Sequence, residues 1–211
     1  MRGIWLILAV FAVHGLAQAQ ADVALVNLVT GDVSYAPQGG KAAKVQAFMK
    51  VRDGDRFDLP AGTQLRVVYF DGARQERWQG PSSFRADKVA GTPISGAPAE
   101  VSMLPAGVPQ RIARVPELMQ NARLGGIQVR GVPPGRKVPD EALQEARSTY
   151  EKLRKELPGD DITAELYLYS ALNDYQLYED MVPVVDEMLR KQPGSEDVRS
   201  LAAWLNRRRG L

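Results

Sequence analysis

Apolar and polar positions alternate with two different periods along the 211-residue chain, and the change falls near Pro139. Before it, short runs alternate with period two, the pattern of half-buried strands. The run Val67, Val68, Tyr69, Phe70 meets Asp71-Gly72, and a second extended run follows to Trp78 before Gly80-Pro81. Asp-Gly between two such runs predicts a two-residue hairpin with a type I′ turn, which needs positive φ at both central residues. Upstream, residues 22–36 form two β-like runs around Thr30-Gly31-Asp32. Val45, Ala47, Met49 and Val51 predict a strand over 45–52, Asp53-Gly54-Asp55 turns the chain, and Arg56–Leu59 is a short extended piece. Pro60-Ala61-Gly62-Thr63 is a further turn, and Ser83-Phe84-Arg85 starts a last strand. Short strands with turn signals about every 8–12 residues predict a small sandwich or open barrel over residues 22–90.

Residues 91–138 change character. Gly, Pro and Ala dominate, as in Gly96-Ala97-Pro98 and Val132-Pro133-Pro134-Gly135, and the stretch reads as a linker. One short helix is predicted from Val115-Pro116, with Gly125 as its C-terminal cap. Ile127–Arg130 alternates like a strand that could join the edge of the β-domain. From Pro139 the spacing becomes three and four. Leu143, Ala146, Tyr150, Leu153 and Leu157 stripe one helix, and Ile162, Leu166, Tyr169 and Leu172 stripe the next. Val184, Val185, Met188 and Leu189 lie in a third, where Pro183 is expected in or near the first turn. Ser195 caps a fourth through Leu205. The whole is therefore α+β: an N-terminal all-β unit followed by helical hairpins over 139–211.

Two resemblances follow from these residues. Gly31-Asp32-Val33, Val51-Arg52-Asp53-Gly54-Asp55, Ala61-Gly62-Thr63, Phe70-Asp71-Gly72 and Gly80-Pro81 stand in an order similar to the FecR-type periplasmic domain. The similarity spans about residues 24–88 and implies a β-rich envelope domain used for recognition. Family members that regulate sigma factors carry a cytoplasmic helical domain and a membrane span, and neither pattern is found here, so that role is not implied. In the C-terminal part, Pro158-Gly159 and Pro193-Gly194 stand 35 positions apart, each after a similar helix end. This period, with Leu166–Asp180 between them, resembles the tetratricopeptide repeat, although Val184 or Val185 stands roughly where that pattern has Ala. An unrelated four-helix bundle is the alternative.

Residues 1–21 read as a secretory signal: Arg2, an apolar run from Ile4 to Leu16, then Ala17-Gln18-Ala19 and Ala19-Gln20-Ala21 as cleavage sites. The alternative is an uncleaved anchor, for which the run is short. The mature chain is expected in a periplasm, without a further membrane span.

Composition narrows the chemistry. A net charge of +2 argues against a nucleic-acid partner, which calls for a concentrated basic face. There is no cysteine, and the single histidine is His14, inside the expected signal. A mature chain without His or Cys builds no Ser-His-Asp or Cys-His centre and no ordinary zinc site, so no cofactor or metal is expected and the chain reads as non-enzymatic. A carboxylate-dependent wall hydrolase would need two acids facing one cleft. Asp160-Asp161 is such a pair on paper, but acids at a helix start also answer the helix dipole.

The expected function is recognition or scaffolding in the cell envelope through a protein partner. An accessory role in envelope signalling is the alternative. Candidate contacts are Tyr167 and Tyr175, lining a helical groove for an extended peptide, and Arg74, Arg77 and Trp78, a polar face on the hairpin. The plainer reading is core packing for the tyrosines and a charge-protected edge for the hairpin. Arg207-Arg208-Arg209 would suit a cell-wall polymer or, more simply, complement a helix C-terminus.

Overall fold

The computed structural model describes residues 21–123 and 140–210, the side chains of 121–123 excepted. The expected signal before Ala21, the cap at Gly125 and the strand at Ile127–Arg130 lie outside the described residues. The fold is α+β, with ten strands followed by six helices among the described residues. The strands are β1 (Asp22–Thr30), β2 (Ser34–Ala36), β3 (Ala43–Lys44), β4 (Lys50–Arg52), β5 (Arg56–Leu59), β6 (Gln64–Tyr69), β7 (Arg74–Gln79), β8 (Ser82–Ala86), β9 (Gly91–Gly96) and β10 (Glu100–Met103). They form two antiparallel five-stranded sheets, one ordered β10-β7-β6-β1-β4 and the other β3-β2-β5-β8-β9. Val26, Val51, Leu65, Val67 and Trp78 of the first sheet share a core with Phe57, Leu59, Phe84 and Ala86 of the second. The β-unit is thus a sandwich, and the open-barrel alternative falls away.

The linker expectation fails over 91–103. Gly91–Gly96 pairs with β8 and Glu100–Met103 with β7, so this Gly/Pro-rich stretch supplies an edge strand to each sheet. Its composition is tolerated because an edge strand pairs on one side alone.

The central hairpin also differs from expectation. Tyr69 pairs with Arg74, leaving a four-residue loop in which Ala73 has the positive φ, 44°. Gly72 is required by space: a Cβ there would stand 2.2 Å from the Val89 carbonyl oxygen. The strand expected over 45–52 is only Lys50–Arg52, because the chain turns at Gln46–Phe48, with Phe48 at φ 59°. Val45 and Val51 enter the sandwich core while Phe48 joins the other core.

The helices are α1 (Val108–Ile112), α2 (Val115–Arg123), α3 (Asp140–Glu156), α4 (Thr163–Asp174), α5 (Tyr178–Lys191) and α6 (Glu196–Arg209). From α3 onward each packs on the next. Ser195 caps α6, its Oγ accepting from Val198 N at 3.3 Å, and Gly210 closes it at φ 79°. Pro183 is the sixth residue of α5, beyond the first turn, so the Glu179 carbonyl lacks its usual N–H donor there.

α4 is buried on every side from Thr163 to Leu172, so its stripe is only part of its contact surface. α3 and α5 flank it, α1 packs on it, and α2 covers α6. Leu25 and Val68, on the outer face of the β6–β1 pair, join Ile112, Val115, Leu166 and Leu172 in one continuous core. The molecule therefore has three layers, sheet on sheet on helices, and the first sheet is buried on both faces. Among the described residues no helix is long and apolar enough to cross a membrane.

Candidate functional site

The layer between sheet and helices is not wholly apolar. Asn27 of β1 donates through Nδ2 to Gln75 Oε1 of β7 at 3.1 Å and to Thr163 Oγ1 of α4 at 2.5 Å. The Thr163 hydroxyl donates in turn to Gln75 Oε1 at 2.6 Å, and Gln75 Nε2 donates to the Asp161 carboxylate. Asp161 also accepts from Thr163 N at 2.8 Å, so it caps the start of α4 while binding the sheet. Arg66 of β6, 1% exposed, has Nε 3.7 Å from Asp161 and Nη2 3.2 Å from Asp160. Polar groups at this depth are costly unless they satisfy each other, and these do so in part: Asn27 Oδ1 and the Nε and Nη1 atoms of Arg66 make no hydrogen bond among the described residues.

A second buried pair lies one turn along α4. Glu165 is fully buried and accepts from Lys191 Nζ at 3.0 and 2.9 Å, while Lys191 also donates to the Asp161 carbonyl at 2.8 Å. Arg154 donates to the Tyr150 hydroxyl at 3.2 Å and pairs with Glu187 at 3.0 Å, bridging α3 to α5. Burial pushes the Tyr150 hydroxyl above its ordinary value. These contacts hold α3, α4 and α5 together and bring Lys191 to the end of β1.

There the two layers part into a cleft of about 730 Å³. One wall is Leu28, Val29 and Thr30 of β1 with Gln64 of β6 and the Gln46-Ala47 turn; the other is Lys191, Gln192 and Gly194–Asp197, the connection from α5 into α6. Its volume is that of a ligand site, typically ~300–1,000 Å³. The side-chain nitrogens of Gln64 and Gln192 are buried and make no hydrogen bond among the described residues. Glu196 and Asp197 stand on the first turn of α6 at its mouth, and Asp160 lines it with a side chain 55% exposed.

The sandwich core holds a separate buried acid. Glu76 accepts from Gly91 N at 3.0 and 3.1 Å and from Trp78 Nε1 at 3.0 Å, and pairs with Arg74 at 2.9 Å. Burial outweighs these partners and raises its carboxyl above the ordinary range; burial raises Asp55 in the same way. A raised folded-state pKa means that the folded protein holds the proton where the unfolded chain has lost it. The resulting stability is fully present below the ordinary carboxyl pKa and is lost as pH rises through the raised one. Glu76→Gln removes this dependence while Asp55 keeps its share. Relative to wild type, the variant should fare better at about pH 7 than at about pH 4 in urea denaturation. A constant difference across that range would show that Glu76 does not titrate in it.

The sequence-predicted contact residues are not brought together. Trp78 is buried and stacks on Phe84 with ring centroids 4.2 Å apart, so it is core and cannot form a recognition face. Arg74 is tied to Glu76, and Arg77 to Glu100 across the β7–β10 pair. Tyr167 is buried beneath the Arg111 guanidinium of α1, 5.7 Å from its ring centroid, so the groove expected there is filled by the chain's own helix. Tyr175 is the half-buried C-cap of α4. Arg209 pairs with Glu179 at 2.8 Å and Arg208 lies over the Trp204 ring. Asp160 and Asp161 do stand at a helix start, yet their partners are Arg66 and Gln75 of the sheet.

Sequence reading missed Asn27, Arg66 and Gln75. Asn27 and Arg66 stand among the apolar residues of β1 and β6, and Gln75 in the largely charged β7; each reads as solvent-facing until a second layer covers its face. Among the described residues no cluster of three His, Asp or Glu side chains is placed to hold a metal ion. No protein-family model, no curated protein and no solved structure matches this chain.

Proposed function

We propose that this is an exported recognition or scaffolding protein of the bacterial cell envelope, which acts by contact with a protein partner and not by catalysis. The observation that carries this reading is the cleft between the end of β1 and the α5–α6 connection. Its two walls come from different layers and are held at fixed separation by the Arg66–Asp161 and Lys191–Glu165 pairs. A preformed cleft loses little ordering entropy on binding, which favours recognition by a rigid surface. The secretory pattern of residues 1–21 and the similarity of residues 24–88 to the FecR-type domain support the envelope setting.

The test is site-specific photo-cross-linking in cells. A photoreactive residue at Gln192, inside the cleft, is expected to give a discrete protein adduct in the periplasmic fraction. The same residue at Lys44, on the far sheet, is expected to give none. Equal labelling from both positions, or a mature chain found in the cytoplasm, overturns the proposal.

A further inference from the structure

A second cavity lies within the helical layer, between α3 and α5, and shares no lining residue with the cleft. Both helices pack on α4. They run in the same direction, because Arg147 meets Asp180 and Arg154 meets Glu187, each 33 positions further on. Arg147, Tyr150 and Arg154 stand at three- and four-residue spacing on α3 and share one of its faces. Asp180, Pro183, Val184 and Glu187 do the same on α5.

Arg147 Nη2 reaches Asp180 Oδ1 at 3.1 Å, and Arg154 Nη2 reaches Glu187 Oε1 at 3.0 Å. The two ion pairs are two turns apart on each helix, about 10 Å along the axis. They close the ends of a slot of about 340 Å³. That volume is near the lower end of the ~300–1,000 Å³ range for ligand sites. Between the pairs, Tyr150 forms one wall and Pro183 with Val184 the other, while Leu168 and Leu172 of α4 form the floor.

Position 183 is where a long side chain would fill the space opposite Tyr150. Proline keeps its ring close to its own backbone and leaves the slot open. Pro183 is exposed and Tyr150 half-buried, over a floor of buried leucines. Arg154 fixes the Tyr150 wall, donating to its hydroxyl at 3.2 Å and lying 5.7 Å from its ring centroid.

The charges around the slot are already matched to one another. Asp180 neutralises Arg147 and Glu187 neutralises Arg154, while Glu151, exposed at the rim, adds one negative charge. An entering anion would have to draw an arginine from its partner and approach Glu151. A neutral apolar group disturbs neither pair and takes the floor and both walls out of water. The closed ends set the shape. A compact group of one or two rings fits between them, and an extended chain running along the slot is stopped at each end.

We propose that the slot between α3 and α5 is a binding site for a small, neutral, aromatic molecule, independent of the partner cleft. The ring of this molecule lies over Leu168 and Leu172, between Tyr150 and Pro183, and its presence clamps α3 to α5.

The experiment follows the methyl resonances of the mature chain by NMR, with indole as the probe. Indole is expected to shift the methyls of Leu168, Leu172 and Val184, to leave those of Leu28 and Val29 in the cleft unmoved, and to saturate with a Kd at or below ~1 mM. Indole-3-carboxylate is expected to bind at least ~10-fold more weakly. Pro183→Phe, at an exposed position, restores the N–H missing from α5 and brings a ring of its own into the slot. It is expected to weaken indole at least ~10-fold while raising the Tm, since proline is costly inside a helix.

No shift of the three slot residues at several times that indole concentration overturns the proposal, as do shifts confined to the cleft. Equal or tighter binding of the carboxylate overturns it too, and so does an unchanged indole affinity in folded Pro183→Phe. Tighter binding of a capped Ala-Trp-Ala peptide than of indole would place a side chain of a partner protein in the slot and overturn the small-molecule assignment. A protein adduct from Gln192 in cells bears on the cleft alone, so the two proposals stand or fall separately.

Discussion

Asp161→Ala is expected to lower the unfolding free energy by about 3–5 kcal/mol, the range for removing one partner of a buried ion pair. Asp161 is buried at the start of α4, where it accepts from Thr163 N at 2.8 Å and from Gln75 Nε2 and faces Arg66 Nε at 3.7 Å. Its loss strands the Arg66 guanidinium, which is 1% exposed and among the described residues keeps only Asp160 at 3.2 Å. It also frees a Gln75 donor and uncaps α4, so three costs fall on one substitution.

The effect should be largely reversed by pairing it with Arg66→Met, which removes the orphaned charge and fills the space with apolar volume. Arg66→Met alone should cost less than Asp161→Ala, because the carboxylate keeps two donors. Urea denaturation of the two single variants and the double variant measures this. A loss below about 1 kcal/mol for Asp161→Ala would put the pair in the class of solvent-screened surface bridges and remove it as the lock between sheet and helices.

Trp78→Ala should cost a similar amount, about 3–5 kcal/mol, through the cavity it leaves. Trp78 is inserted from β7 against Phe84 of β8, with rings 4.2 Å apart and 7° from parallel. Phe84 stacks on Phe57 of β5 at 4.8 Å, and Phe57 on Tyr35 of β2 at 5.9 Å, so one aromatic row crosses the second sheet and is closed by a ring from the first. Trp78 Nε1 also satisfies Glu76.

Trp78→Phe keeps most of the stack but drops that hydrogen bond, and is expected to cost about 1–3 kcal/mol, the penalty for a buried acceptor losing a donor. Both values come from thermal or urea unfolding. Any loss of partner binding in Trp78→Ala should track the unfolded fraction and vanish in conditions where the variant is folded. Full stability with selective loss of binding would restore the hairpin as a recognition face.

These two residues show where sequence was sufficient and where it was not. Asp161 is legible as a helix-start acid, because a residue at the positive end of a helix acts on its own turn. Its second role is not legible, since Gln75 is 86 positions away and Arg66 is 95, and no local pattern encodes that distance. Trp78 sits beside Arg77 and Glu76 in a charged stretch, and alternation alone does not say which parity faces the core when both faces of the sheet are buried.

Legible in the sequence are the α+β order, a β-unit of short strands, the four C-terminal helices, and the stops at Pro158-Gly159 and Pro193-Gly194. Each depends on local physics: side-chain periodicity, caps, and backbone angles that only certain residues adopt. Tertiary structure alone decided that a helical layer covers the first sheet, that Asn27, Arg66 and Gln75 are interior, and that Tyr167 lies under α1. It alone decided that β4 pairs with β1 only over Asp22–Leu25 and that the end of β1 faces the α5–α6 connection across the cleft. The reason is that burial of an outer sheet face depends on what packs there from far along the chain, as Gln75 on Asp161 and Asn27 on Thr163 show with separations of 86 and 136 positions.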